Sequence, residues 1–454
     1  MNSAAPAIPG RRRGGAFLAG AGGRLLPASV PFRWFGAAVV FHALAWLALA
    51  AGAWSWPSWR GGLGWPLAAL HLVTLGTLVA SAIGASLQLL PVATRQAVRW
   101  PALAALMWWA YMPGVGLLAL GMGLARPPWL ALGAALVLAV LLAWAVLLAL
   151  NLRGARGMPA VVLHGWGALA GLALLALSAG ALAALWNGQL WLGLGLGLDR
   201  ERLRALHLVS GVFGLMGLLV LGLSTILLPM FTLAAVPDES RQRRAGGAAL
   251  AAVALAALAA LPHSDSALAI GLRLAALCCA ALALGWHVRL MRQVLQAGLR
   301  RDLGRSGWLM HFSWGAAALA LVIAWVKLGR ETLGGESDWL GPLFVLAAVG
   351  GWLTSFLFAV LQRILPFLAS MHAARGQTRP PTPSALTLEA PLQWHLRAHV
   401  AALGLLTVAI ALRSPAWLVA AALVGFAGAL AFGVFFAVLM LRLRGAGRAA
   451  RRQP

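Results

Sequence analysis

The residues of this chain best suited to chemistry are its ten histidines. His71 opens the apolar stretch "HLVTLGTLVASAIGASLQLLP", and His207 opens "HLVSGVFGLMGLLVLGLSTILLP". A polar ring in an apolar segment costs free energy unless it is hydrogen-bonded, paired or coordinated. Neutral imidazole is a good ligand for haem iron and for copper. Two histidines at the same depth on different helices can hold one such centre between them, so His71 and His207 are the candidate cofactor ligands. His207 with His263, in the loop "PHSDS", is the candidate metal set. A histidine at the end of a membrane span can equally bond a carbonyl or water at the interface, and sequence leaves that alternative open.

The other chemistry-bearing residues narrow the options. His395 and His399 are four apart and share one helical face, a spacing that binds metal. His395 nevertheless neighbours Trp394 and Arg397, which predicts contact with lipid headgroups. His42, His164 and His311 are expected to form a layer of hydrogen bonds toward the cytoplasmic half, where His287 and His372 also lie. All ten acidic residues fall in loops or at span ends. Proton pumps use buried acids or histidines, so without an intramembrane acid a proton-coupled carrier is disfavoured, and a histidine relay is the form left open. Cys278 and Cys279 are adjacent within one span and point about 100° apart, which disfavours a disulfide and predicts small core residues. Met107, Met112 and Met122 read as packing.

These side chains must be positioned by membrane helices. The 454 residues are 62% hydrophobic and 10% charged, with mean hydropathy +0.87, whereas soluble domains are about 25% charged. Apolar runs of about 20 residues, each able to cross a bilayer, predict twelve spans at 34–54, 66–90, 102–123, 129–150, 160–186, 203–228, 246–262, 267–290, 308–328, 341–365, 396–412 and 416–441. The net charge of +25 reflects topology rather than nucleic-acid binding. With the N-terminus inside, about 26 of the 35 basic residues lie in interior loops and tails, as the positive-inside rule requires. Both termini are therefore expected in the cytoplasm of a bacterial-type inner membrane. "RRRGGAFLAG" loosely resembles a twin-arginine signal, but no cleavable hydrophobic region follows it, so it reads as a cytoplasmic anchor. The 22 tryptophans cluster near span ends, as an aromatic belt would.

The spans read as three units of four. "AVVFHALAWLALAAG" (38–52) resembles "AVVLHGWGALAGLAL" (160–174), with a weaker copy in "WLMHFSWGAAALAL" (308–321). The second span of each unit closes alike, in "LQLLPV", "TILLPM" and "QRILPF". His42, His164 and His311 correspond, as do His71 and His207, while the third unit has Phe344–Leu346 there. The organisation is a basic cytoplasmic tail at 1–33, a membrane domain at 34–442 and a basic tail at 443–454. The units run about 34–150, 160–290 and 308–442, and a Pro-rich linker at 373–394 is expected to be mobile. Repeated helices of this kind usually carry the functional site. The glycines after His71 and His207 are expected to admit a flat macrocycle or a neighbouring helix, and Pro91 and Pro229 to end their helices.

This all-α, twelve-helix pattern, with histidines near the exterior ends of spans 2 and 6, resembles subunit I of the haem–copper oxidases. It is more similar to the NnrS-like membrane proteins, which share that architecture and are associated with haem, copper and nitric oxide response. The matching stretches are "PFRWF" (31–35), "HLVTLG" (71–76) and "LLPMFT" (227–232). The oxidases' paired histidines of helix seven, His-x-His of helix ten and tyrosine of helix six have no counterparts, since span 7 offers only His263 and the sole tyrosine is Tyr111. Of the His-x-His-Glu run of NnrS-like proteins, only the position of His71 is kept; Ala69 and Leu72 stand at the others. The resemblance implies a haem- or copper-binding membrane protein in nitric oxide or redox stress, or in metal handling, with a respiratory electron-transfer partner. It does not imply an oxygen-reducing enzyme. The rival expectations are a cofactor-free transporter or channel and an assembly partner of a respiratory complex.

Overall fold

A computed structural model describes residues 26–188, 198–374 and 381–450. The N-terminal 25 residues, with the "RRRGG" stretch, and part of the Pro-rich linker lie outside the described residues. The chain is an all-helical polytopic membrane protein. Among the described residues, eleven helices are long and apolar enough to cross a bilayer: α1 (Ser29–Ala51), α2 (Trp65–Ala93), α3 (Pro101–Gly123), α4 (Pro127–Arg153), α5 (Pro159–Trp186), α6 (Arg200–Thr232), α8 (Ala267–Ala297), α9 (Gly304–Thr332), α10 (Leu340–Ala373), α11 (Glu389–Leu412) and α12 (Pro415–Ala450). The span expected at 246–262 is α7 (Glu239–Leu258), shifted toward its charged first turn, which dilutes its apolar character.

Local chemistry explains where these helices start. Prolines occupy the first turn of α2, α3, α4, α5 and α12, where the missing N–H has no intrahelical partner to lose. Asp199, Asp238 and Ser266 instead cap α6, α7 and α8 by accepting the backbone N–H groups of Arg202, Arg241 and Ala269.

Three helices form the interior. In α2, α6 and α10, 67% of the most apolar window is buried, against 17–44% in the other eight spans. Around them α3–α4, α7–α8 and α11–α12 pack as hairpins, α4 packs on α5, α8 on α9, and α12 returns to α1, closing the chain into a ring. Each inner helix contains a π-helical stretch, at Leu72–Val79, Val209–Gly217 and Leu346–Thr354. The wider turns leave carbonyls that hydroxyls reach five residues on: Thr77 bonds the Leu72 carbonyl, Thr354 that of Val349, and Ser355 that of Gly350. Such stretches re-aim the side chains that follow and often mark functional sites.

Several expectations change. Pro91 and Pro229 do not end their helices; α2 continues to Ala93 and α6 to Thr232. A proline near a helix end forfeits little backbone bonding, and the Thr94 and Thr232 hydroxyls take the nearby Leu90 and Leu228 carbonyls. The linker at 373–394 is shorter and more docked than composition implies. Residues Pro383–Leu386 form one turn, Leu386 is buried, and Arg442 donates to the Ala385 and Thr387 carbonyls. The C-terminal tail from 443 continues α12 as far as Ala450. Cys278 and Cys279 are unpaired, but Cys278 is exposed and Cys279 only half-buried, on the most lipid-facing span. Trp34 and Trp144 leave the expected belt for the core, where the Trp144 indole donates to Ser86.

The glycines hold the interior together. A Cβ at Gly171 would stand 2.5 Å from the Gly214 backbone, whereas one at Gly116 would meet nothing. Gly171→Val should therefore destabilise the protein by about 1–3 kcal/mol through overpacking, seen as a lowered thermal midpoint in detergent. Gly116→Ala should leave the midpoint unchanged.

Candidate functional site

His71 and His207 reach the interior at the point where α2 and α6 change from α to π geometry. His71 is the residue before Leu72, and His207 stands two before Val209. Their rings are near-parallel, with centroids 6.1 Å apart and planes 27° from parallel. The His71 Nδ1–H donates to the Leu67 carbonyl at 3.0 Å, which fixes the ring and leaves its Nε2 lone pair free. His207 Nδ1 is buried without a protein partner. Both candidate cofactor ligands are therefore brought together, with a bonding nitrogen to spare on each.

Two imidazole nitrogens bound in line to one metal at about 2.0 Å each put the ring centres about 6 Å apart. The observed pair matches that spacing, and its donors suit haem iron or copper. The surroundings do not include the glycine-walled slot that sequence leaves open. Gly76 packs against Phe41, Gly211 against Leu175, Gly214 against Gly171 and Gly217 against Trp352. These glycines admit neighbouring helices.

His263 lies exposed in the connection between α7 and α8, where its carbonyl accepts from Ser266. No three His, Cys, Asp or Glu groups among the described residues are placed to share a metal. At the position of His207 in the third inner helix stands Phe344, two residues before its π stretch, with its ring 6.0 Å from Phe213.

The remaining histidines make different contacts from those expected. His164 and His311 donate from Nδ1 to the carbonyls of Ala160 and Gly307 on their own helices, and His42 accepts from Trp46 on its own. They do not form one shared layer. His287 meets the Ser224 hydroxyl at 3.2 Å and, with His164, Thr225 and Gln242, lines a narrow crevice among α5, α6, α7 and α8. His395 is fully buried rather than at the headgroups, because neighbouring helical residues point about 100° apart. Trp394 faces outward instead, with the Arg397 guanidinium over its ring. Spacing along the chain did not signal the Ser224 contact. The sole tyrosine, Tyr111, donates to the Leu75 carbonyl of the first π stretch and is structural.

Compared with known protein families and with curated proteins, the chain matches none.

The cap of α6 sets the start of the helix that carries His207. The backbone N–H of Arg202, then its guanidinium, holds the Asp199 carboxyl below the ordinary carboxylate range. A depressed value means that the cap stabilises above that range and loses its effect as pH falls through the folded value. Asp199→Ala should cost about 0.5 kcal/mol at neutral pH, the low end for an exposed cap. The variant and the native protein should converge in acid, as followed by thermal unfolding across pH.

Proposed function

We propose that this is an NnrS-like protein of the bacterial inner membrane, built on the oxidase-subunit-I plan, that holds a redox-active metal between His71 and His207. The observation that carries this reading is the paired rings on two inner helices, 6.1 Å apart, with His207 Nδ1 unpartnered and His71 anchored through Nδ1 alone. Haem iron or copper is the centre such donors select, and nitric oxide or redox stress, or metal handling, is the setting the family resemblance implies. A bound metal would supply gas binding or one-electron transfer. The chain's own part is to fix His71 through Leu67 and to exclude water with packed helices. The absence of an acid from every span interior leaves the metal's charge to be balanced by its own ligands or by a partner.

Three units of four helices, with both termini cytoplasmic, complete this reading. Support comes from the π stretch in α2, α6 and α10 and from the recurring outer contacts α4–α5, α8–α9 and α12–α1. Duplication accounts for His71 and His207 as counterparts, with Phe344 the third and non-ligating copy. A respiratory electron-transfer protein is the partner this function requires.

One observation favours copper over haem, namely the glycine faces already filled by Phe41, Leu175 and Trp352. The test is to purify the protein in mild detergent after expression with haem and copper supplied. Visible spectra, oxidised and reduced, are recorded beside iron and copper content. Metal at the level of the protein, reduced ten-fold or more in both His71→Ala and His207→Ala, is expected. A reducible Soret band identifies haem; copper without one identifies the bare ion. A protein with neither metal, or with content unchanged in both variants, defeats the proposal and leaves a cofactor-free transporter, channel or assembly partner.

A further inference from the structure

A second histidine group lies where the ring of helices closes, among α1, α10, α11 and α12. His42 of α1 and His395 and His399 of α11 are all buried. His42 and His395 have ring centroids 6.4 Å apart, and His395 and His399 5.7 Å. Phe358 of α10 touches all three rings. Each ring is anchored through one nitrogen, and in each the other nitrogen is buried without a protein partner: Nδ1 of His42, Nε2 of His395 and Nδ1 of His399.

The anchors fix the proton positions of neutral rings. The Trp46 indole N–H can only donate, and it donates to His42 Nε2 at 3.3 Å; the His42 proton is therefore on Nδ1. The Gly428 carbonyl can only accept, and it lies 3.1 Å from His395 Nδ1, so the His395 proton is there and Nε2 carries a lone pair. The Ser355 hydroxyl already donates to the Gly350 carbonyl. Its 2.8 Å contact with His399 Nε2 is then a bond from the ring, which leaves a lone pair on His399 Nδ1. The three unpartnered nitrogens are one donor and two acceptors.

That inventory matches a single water, which accepts one hydrogen bond and donates two. Distance decides between water and a metal ion. Rings bridged through one water, with nitrogens about 2.9 Å from its oxygen, have centroids about 6 Å apart. Rings sharing a tetrahedral metal at about 2.0 Å come within about 5 Å. The spacings of His395 from His42 and from His399, 6.4 Å and 5.7 Å, fit water, and an N–H on His42 cannot bind a metal. Buried waters typically make about three bonds to otherwise unsatisfied groups.

We infer that His42, His395 and His399 bind one internal water, which ties the first helix of the chain to the last hairpin and locks the ring closed. The inference is independent of the metal pair. The test uses the native full-length protein in lipid bilayers with ¹⁵N-labelled histidine, so it does not depend on a variant folding. Solid-state NMR should show His42 and His395 protonated at Nδ1, His399 at Nε2, and water-proton transfer to the bare nitrogens of His395 and His399. The Trp46 indole and the Ser355 hydroxyl identify His42 and His399. A His42 ring protonated at Nε2, a lack of water contact, or nitrogen shifts reversed by a chelator would each overturn it. As a second measure, the losses in thermal midpoint of His42→Leu and His395→Leu should be strongly non-additive in the double variant, because either alone frees the water. Additive losses count against the bridge.

Discussion

Inside hydrocarbon a backbone amide has no water to turn to, so every N–H and C=O must be satisfied within the protein. That constraint makes the chain a set of long helices, and it governs the places where they depart from α geometry. The three inner helices each widen into a π stretch, which moves carbonyls out of their usual register. Thr77, Thr354 and Ser355 supply hydroxyls at the distance that recovers them. Tyr111 adds a bond to Leu75 in the first stretch. Polar residues in the interior therefore serve backbone needs first, and only those left over are available for chemistry.

Close packing links this backbone economy to the candidate site. Gly171 lets α5 meet α6 backbone to backbone, and Gly217 receives Trp352 from α10. With lipid as apolar as the side chains, such contacts depend on dispersion and shape rather than on water release. The same glycines that follow His71 and His207 are thus spent on bringing helices together. The His71 and His207 rings lie with centroids 6.1 Å apart.

The two histidine groups differ through their anchors. At His71 a carbonyl one turn back holds the ring through Nδ1, leaving the lone pair on Nε2. At the ring closure, an indole, a carbonyl and a serine from three helices impose unlike tautomers on His42, His395 and His399. Identical side chains therefore present different chemistry, decided by which neighbour takes the first nitrogen.

Sequence alone determined that the chain is a membrane protein, roughly where its helices lie, and that the acids stay out of the spans. Hydrophobic length and charge act locally, so they can be read along the chain. It also singled out His71 and His207, because both stand at the head of matching apolar segments. It misjudged His395, whose neighbours Trp394 and Arg397 face the other way, and it gave no sign of Ser224 or Ser355 as histidine partners. Only the tertiary structure decided those points, together with the exposure of His263 and the filling of the glycine faces. The reason is physical: the rotation of each helix about its axis is set by how glycines and bulky side chains on different helices interlock. That information lies between segments far apart in the chain, not in the spacing within any one of them.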